Sequence, residues 1–142
     1  MTARQIARQI KDCSSRGGII YVIGNGGSAS EAGHMASEFL THGYPAISLC
    51  DVATITALAN DYSFSEVFAD QIQTLGKKDD LLIGLSTSGK SENINLAYIY
   101  ARNRGMKVID WPRKKSASTP KETAKIQEEQ LKLMHKVYLM LI

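Results

Sequence analysis

Apolar residues recur at three- and four-residue spacings from Ala3 through Ile6, Ala7 and Ile10 to Cys13, which predicts an amphipathic helix over 3–15. Gly17 and Gly18 stop it. Ile19-Ile20-Tyr21-Val22-Ile23 then forms a continuous β-branched run, the pattern of a strand covered on both faces. The same alternation repeats down the chain. The pattern predicts a helix over 29–40, a strand over 45–49, a short helix from an Asp51 N-cap through 59, and a helix over 65–75 closed by Gly76. Leu81-Leu82-Ile83-Gly84-Leu85 reads as a third buried strand, Ser91 as the cap of a helix to 103, and 106–109 as a fourth strand. Residues 110–120 read as a polar, basic loop, and 121–142 as a last helix. No repeat or linker interrupts this order, so a single domain over 1–142 is expected. Strands alternating with helices predict an α/β fold, a three-layer αβα sandwich on a parallel sheet.

Composition narrows the class without changing that picture. The 142 residues are 44% hydrophobic and 22% charged, ordinary globular usage that excludes disorder and collagen-like repeats. Seventeen basic side chains against fourteen acidic ones leave +3, too small an excess to make nucleic acid the expected partner. No run approaches the roughly 20 apolar residues of a membrane helix, and the first ten residues lack the apolar core of a signal peptide. Cys13 and Cys50 form neither a disulfide framework nor a CxxC metal motif. A cytoplasmic protein with no membrane partner is the expectation.

Candidate chemistry gathers where strands hand over to helices. In open parallel sheets ligands sit beyond the carboxyl ends of the strands. Gly24-Asn25-Gly26-Gly27-Ser28 follows the first strand, with glycines that let a backbone approach a ligand. Ser86-Thr87-Ser88-Gly89-Lys90-Ser91 follows the third, placing four hydroxyls before a helix N-terminus that favours an anion. Neither has Walker A spacing, and the first lacks the third glycine of a dinucleotide fingerprint. Taken singly, each loop reads equally as turn and cap chemistry. In register after two buried strands, the pair points to a phosphate monoester.

His34 and Glu38, four residues apart, share one helical face. Such a pair is half of a divalent-metal site, or simply a solvated surface contact. His42 reads as a surface residue at a helix end, and His135, taken alone, as a buried and hydrogen-bonded histidine.

Five ordered motifs carry a resemblance: Tyr21-Val22-Ile23-Gly24-Asn25-Gly26-Gly27-Ser28, His34-x-x-x-Glu38, Asn60-Asp61, Ser86-Thr87-Ser88-Gly89-Lys90-Ser91, and Glu122 to Glu128 followed by His135. Over residues 4–142 the chain resembles the phosphoheptose isomerases of the sugar isomerase (SIS) domain family. The resemblance implies conversion of sedoheptulose 7-phosphate to D-glycero-D-manno-heptose 7-phosphate, for heptose supply, by enediol acid/base chemistry. It implies Glu38 as base and His135 as partner acid. It implies substrate contacts from Asn25, Gly26, Gly27, Ser28, Glu38, Asn60, Asp61, Ser86, Thr87, Ser88, Ser91 and Gln127. It also implies one zinc ion on His34, Glu38, Gln127 and His135, and a cytoplasmic homotetramer.

Relatives carry longer stretches before Gly17, between Thr41 and Tyr44, and between Ile109 and Lys121, with an arginine in the second and an extra strand in the third. The shorter stretches read as segments missing from the chain rather than as a compact variant. The competing function is a non-catalytic SIS module that binds a phosphosugar or a replication initiator. Glu38 and His135 present together favour the enzyme.

Gln127 and His135 lie about 12 Å apart along a continuous helix, the limit of reach for one shared ion. The apolar run from Leu131 to Ile142 predicts a helix needing partners on several sides. A homo-oligomer with its active site at a subunit boundary is therefore expected.

Overall fold

Ile20–Gly24 (β1), Ala46–Ser48 (β2), Leu81–Leu85 (β3) and Lys107–Asp110 (β4) build one parallel sheet in the order β2-β1-β3-β4 in the computed structural model, which describes all 142 residues. The central strands are apolar at successive positions because both faces are covered. Ile20 and Val22 enter one core and Tyr21 and Ile23 the other, as the two-residue pleat requires. Ala3–Ser15 (α1), Gly27–Thr41 (α2) and Pro120–Tyr138 (α6) cover the first face. Val52–Asp61 (α3), Ala69–Leu75 (α4) and Glu92–Asn103 (α5) cover the second. The expected three-layer αβα sandwich is present. No helix is long and apolar enough to cross a membrane.

β1 pairs with β2 on one side and β3 on the other, in register from Ile20↔Leu81 to Gly24↔Leu85. The chain reverses its winding direction between them, which makes the carboxyl ends of β1 and β3 the topological switch point. Both loops of interest leave the sheet there. At the opposite end the Asp80 carboxylate accepts the amides of Ile19 and Lys77, each at 2.8 Å, and fixes where the two strands begin.

Several boundaries shift for local reasons. α2 starts at Gly27 with Gly26 at the N-cap, because Gly26 takes φ +58 and turns the chain directly into the helix. The helix expected over 65–75 is a 3-10 turn at Phe64–Glu66 followed by α4. Asp51 caps α3 through the Thr54 amide, but the helix runs to Asp61. α6 starts behind a Thr119 cap with Pro120 in its first turn, and it ends at Tyr138. Leu139 to Ile142 are therefore not part of a helix, and the case for an all-round apolar helix shrinks to Met134 and Val137 facing the core and Leu131, Leu133 and Tyr138 beside it.

The two internal junctions close without a gap. Gly43 at φ +88 and the Tyr44 amide on Phe39 O, 3.0 Å, turn α2 straight into β2. Asp110 to Thr119 returns to the loop after β3, with the Ala117 amide on Thr87 O at 2.9 Å. Trp111, expected in a polar loop, is fully buried, with its indole N–H donated to Gln130 O at 3.2 Å. Cys13 is a packing residue whose thiol burial, with the Asp80 charge, pushes up to about 11.

Replacing Trp111 with alanine removes the largest buried side chain and should cost about 3–5 kcal/mol of stability, read from urea unfolding. A change below about 1 kcal/mol would mean that the site collapses without loss.

Candidate active site

The two strand-end loops are tied to each other. The Asn25 amide donates to Asn93 Oδ1 at 2.8 Å, and the Asn93 amide donates back to Asn25 Oδ1 at 2.9 Å. Asn93 is buried in the first turn of α5, so this pair locks the loop after β1 to the helix after β3. Asn25, expected to touch substrate, has one side-chain N–H and its Oδ1 engaged in the lock. Ser28 is buried in the first turn of α2, and a Cβ on Gly27 would meet Gln127 Nε2 at 2.6 Å. Gln127 thus lies across the start of α2.

The second loop is shaped by its own hydroxyls. Ser86 Oγ accepts the Gly89 amide at 2.9 Å, and Ser88 Oγ accepts the Lys90 amide at 3.1 Å. Gly89 sits at φ +70, a conformation that favours glycine. Thr87 is pinned through its carbonyl to the Ala117 amide. Ser91 occupies the N-cap of α5 yet makes no side-chain capping bond, so the expected cap is there in position only. Its hydroxyl and the helix's first amides remain available to an anion.

A second group of side chains forms where α2 and α6 pack. Glu38 Oε1 lies 3.1 Å from His34 Nε2 and 3.9 Å from His135 Nε2. The two imidazoles meet edge to face at 5.6 Å. The His135 side chain is 46% exposed, which overturns the reading of a buried structural histidine. Glu38 Oε2 is enclosed and has no hydrogen-bond partner. An orphaned carboxylate oxygen is costly unless a cation or a proton reaches it. One ligand atom from each of the three residues lies within 4.8 Å of the others, a spacing that a divalent ion could draw together. The His₂Glu donor set suits such an ion.

Two further residues lie near this cluster: His42, at a helix end and exposed as expected, and Glu31, which the sequence reading did not single out. His42, at the C-cap of α2, has Nδ1 2.9 Å from Glu38 O and Nε2 3.1 Å from the Tyr138 hydroxyl, bracing α2 to α6 one turn beyond Glu38. Its four-residue spacing from Glu38 was the available signal. Glu31 has its carboxyl pushed up by burial, with His34 pulling the other way.

Not every expected site residue converges. Asn60 donates to Asp61 at 3.1 Å at the exposed end of α3, on the opposite sheet face from Glu38. Along α2, Glu38 stands eleven residues from Gly27, about 16 Å at the helical rise. Likewise Gln127 and His135 are separated along α6, the first at the start of α2 and the second at Glu38. Within one chain the two strand-end loops and the imidazole–carboxylate cluster are distinct places.

The fold is a doubly wound α/β sheet with a glycine- and serine-lined crevice at its switch point and a separate His–Glu–His cluster. The profile of the SIS domain family matches residues 2–110. A phosphoheptose isomerase of Thermodesulfovibrio yellowstonii is 40% identical over 150 aligned positions, spanning 93% of this chain and 75% of that protein. One from Desulfovibrio desulfuricans is 46% identical over 110 positions, spanning 72% of this chain and 52% of that protein. The structure of phosphoheptose isomerase GmhA from Neisseria gonorrhoeae superimposes with a TM-score of 0.89 at 32% identity, covering 98% of this chain and 84% of that one. The chain belongs to the SIS domain family and, within it, to the phosphoheptose isomerases.

Replacing Asn93 with alanine leaves the Asn25 amide unpaired at the joint between the loops. Urea unfolding should show a loss of about 1–3 kcal/mol. An unchanged midpoint would show that the loops do not depend on the pair.

Proposed function

We propose that this chain isomerises sedoheptulose 7-phosphate to D-glycero-D-manno-heptose 7-phosphate through an enediol. The observation that carries this reading is the meeting of Glu38 and His135, 97 residues apart in sequence, where α2 packs on α6, with a half-exposed imidazole beside a carboxylate whose inner oxygen has no partner. A pure binding module has no use for a carboxylate held between two imidazoles.

The chemistry needs one proton moved between carbons and one exchanged between oxygens. Glu38 removes a proton from C1 of the ketose while the C2 carbonyl oxygen takes one up, with His135 as donor. The enediol then regains its carbon proton at C2 from Glu38, and the C1 hydroxyl returns its proton to His135, leaving an aldehyde. Positioned groups of this kind are worth roughly 10²–10⁴-fold each. His34 orients Glu38 through its 3.1 Å contact. The phosphate is received by Ser88, Ser91 and the first amides of α5, on a loop shaped by Ser86 and Gly89. Zinc bound by His34, Glu38 and His135 would polarise the substrate oxygens.

Geometry also supports a shared site. A seven-carbon sugar phosphate built on carbon–carbon bonds of about 1.5 Å spans roughly 10 Å, less than the about 16 Å between the α2 start and Glu38. That mismatch favours a site drawn from two chains. A second copy, contributing its cluster to the first copy's loops, completes the site. The exposed Leu139, Met140 and Ile142 beyond α6, and an α3 with no buried residue, offer surface for such contacts. A homotetramer with α6 in the interface fits this arrangement.

Conversion of sedoheptulose 7-phosphate followed by NMR, with zinc supplied, is the direct test, and no conversion refutes the activity. Glu38→Gln should lower kcat by roughly 10²–10⁴-fold, whereas Ser88→Ala with Ser91→Ala should raise KM and leave the fold intact. Mixing and refolding these two defective variants together should recover part of the activity. Absence of recovery, or an active monomer in sedimentation, would defeat the shared site.

A further inference from the structure

The loop at 86–91 has a feature its own side chains do not provide. Its donors are hydroxyls and backbone amides, all neutral, and its one cation, Lys90, is exposed. A phosphate monoester brings nearly two negative charges at neutral pH.

Arg113, from the segment after β4, lies directly against this loop. Its side chain is 18% exposed, far less than the neighbouring Lys114 at 84%. Nη1 donates to both Asp110 oxygens, at 2.9 and 3.0 Å, and reaches Ser86 O at 3.4 Å. A Cβ on Gly89 would collide with Nη2, so the far side of the guanidinium rests on the turn that Gly89 makes. Asp110 is held in turn by the Tyr98 hydroxyl at 3.1 Å. Burial first, and then the Asp110 charge, push the Tyr98 phenol up, which keeps it a donor. A Cβ on Gly84 would collide with that hydroxyl, so Tyr98 is seated against β3 itself.

The result is an oriented ion pair. The carboxylate caps Nη1, while Nη2 and Nε face Gly89. Its positive end is turned to the loop, fixed by packing rather than left on a flexible stem.

We propose that Arg113 is a positioning residue for phosphate. It locks the Gly89 turn from the side and places a fixed positive charge beside the anion, so that it sets affinity for the phosphorylated end of the substrate and not the rate of proton transfer. The proposal rests on the reading of this loop as the phosphate site.

The test uses inorganic phosphate as probe and thermal unfolding of the full chain as readout, alongside steady-state kinetics. Wild-type protein should gain thermal stability with added phosphate. In Arg113→Ala the phosphate concentration giving half-maximal protection should rise roughly tenfold, the weight of one charge-assisted contact. KM should rise in parallel with kcat close to wild type. Arg113→Lys, which keeps the charge but not the planar fork, should fall between the two. It serves as the test variant if the alanine variant does not fold. A lower ligand-free midpoint with unchanged phosphate protection and unchanged KM would make Arg113 merely structural and overturn the proposal. Wild-type protein without phosphate protection would instead overturn the underlying phosphate reading, and this proposal with it.

Discussion

The reciprocal amide pair between Asn25 and Asn93 is the joint on which the site depends. β1 and β3 are neighbours, but the helices that follow them depart to opposite faces of the sheet, so nothing in the backbone ladder holds the two loops together beyond Gly24 and Leu85. Divergence opens a crevice, and a crevice needs a brace. Two side-chain hydrogen bonds supply it, with Asn93 buried and Asn25 half-buried. With the loops braced, the glycines at 26 and 89 can turn the chain into α2 and α5 with helix N-termini aimed at the same edge.

The brace also explains a division of labour among polar residues that look equivalent in sequence. Ser86 and Ser88 spend their hydroxyl oxygens on Gly89 and Lys90 amides, whereas Ser91 spends nothing. Asn25 belongs to the frame. The loop is therefore shaped by two of its own serines, and each of these hydroxyls still has an O–H to donate.

Much of this was legible from residue order. Apolar runs of strand length and helical spacings located all four strands and most helices, because a sheet buried on both faces leaves no freedom in its central strands. His34 and Glu38 were on one face by spacing alone. What could not be read was anything that depends on strand order or on contacts distant in sequence. The meeting of His135 with Glu38 requires α6 to return beside α2, and the separation of Asn60 and Asp61 from that cluster requires knowing which face each helix covers. Trp111 was misplaced because one aromatic among lysines and serines carries no period. Arg113 escaped for the same reason. Its role follows from Gly89 lacking a side chain, which is a fact about space.

The setting of the protein's single tryptophan gives the molecule an optical property of its own. The Trp111 ring is shielded from water, its amide is bonded to Gly84 O, and Gln130 links its carbonyl region to Ser86 O through one side-chain nitrogen. An indole shielded from water but hydrogen-bonded through its N–H to Gln130 O emits to the blue of an exposed one, and its emission is sensitive to movement of the peptide dipoles around it. Because those dipoles belong to the end of β3 and the first residue of the serine-rich loop, intrinsic fluorescence at this one position reports on the crevice without any label.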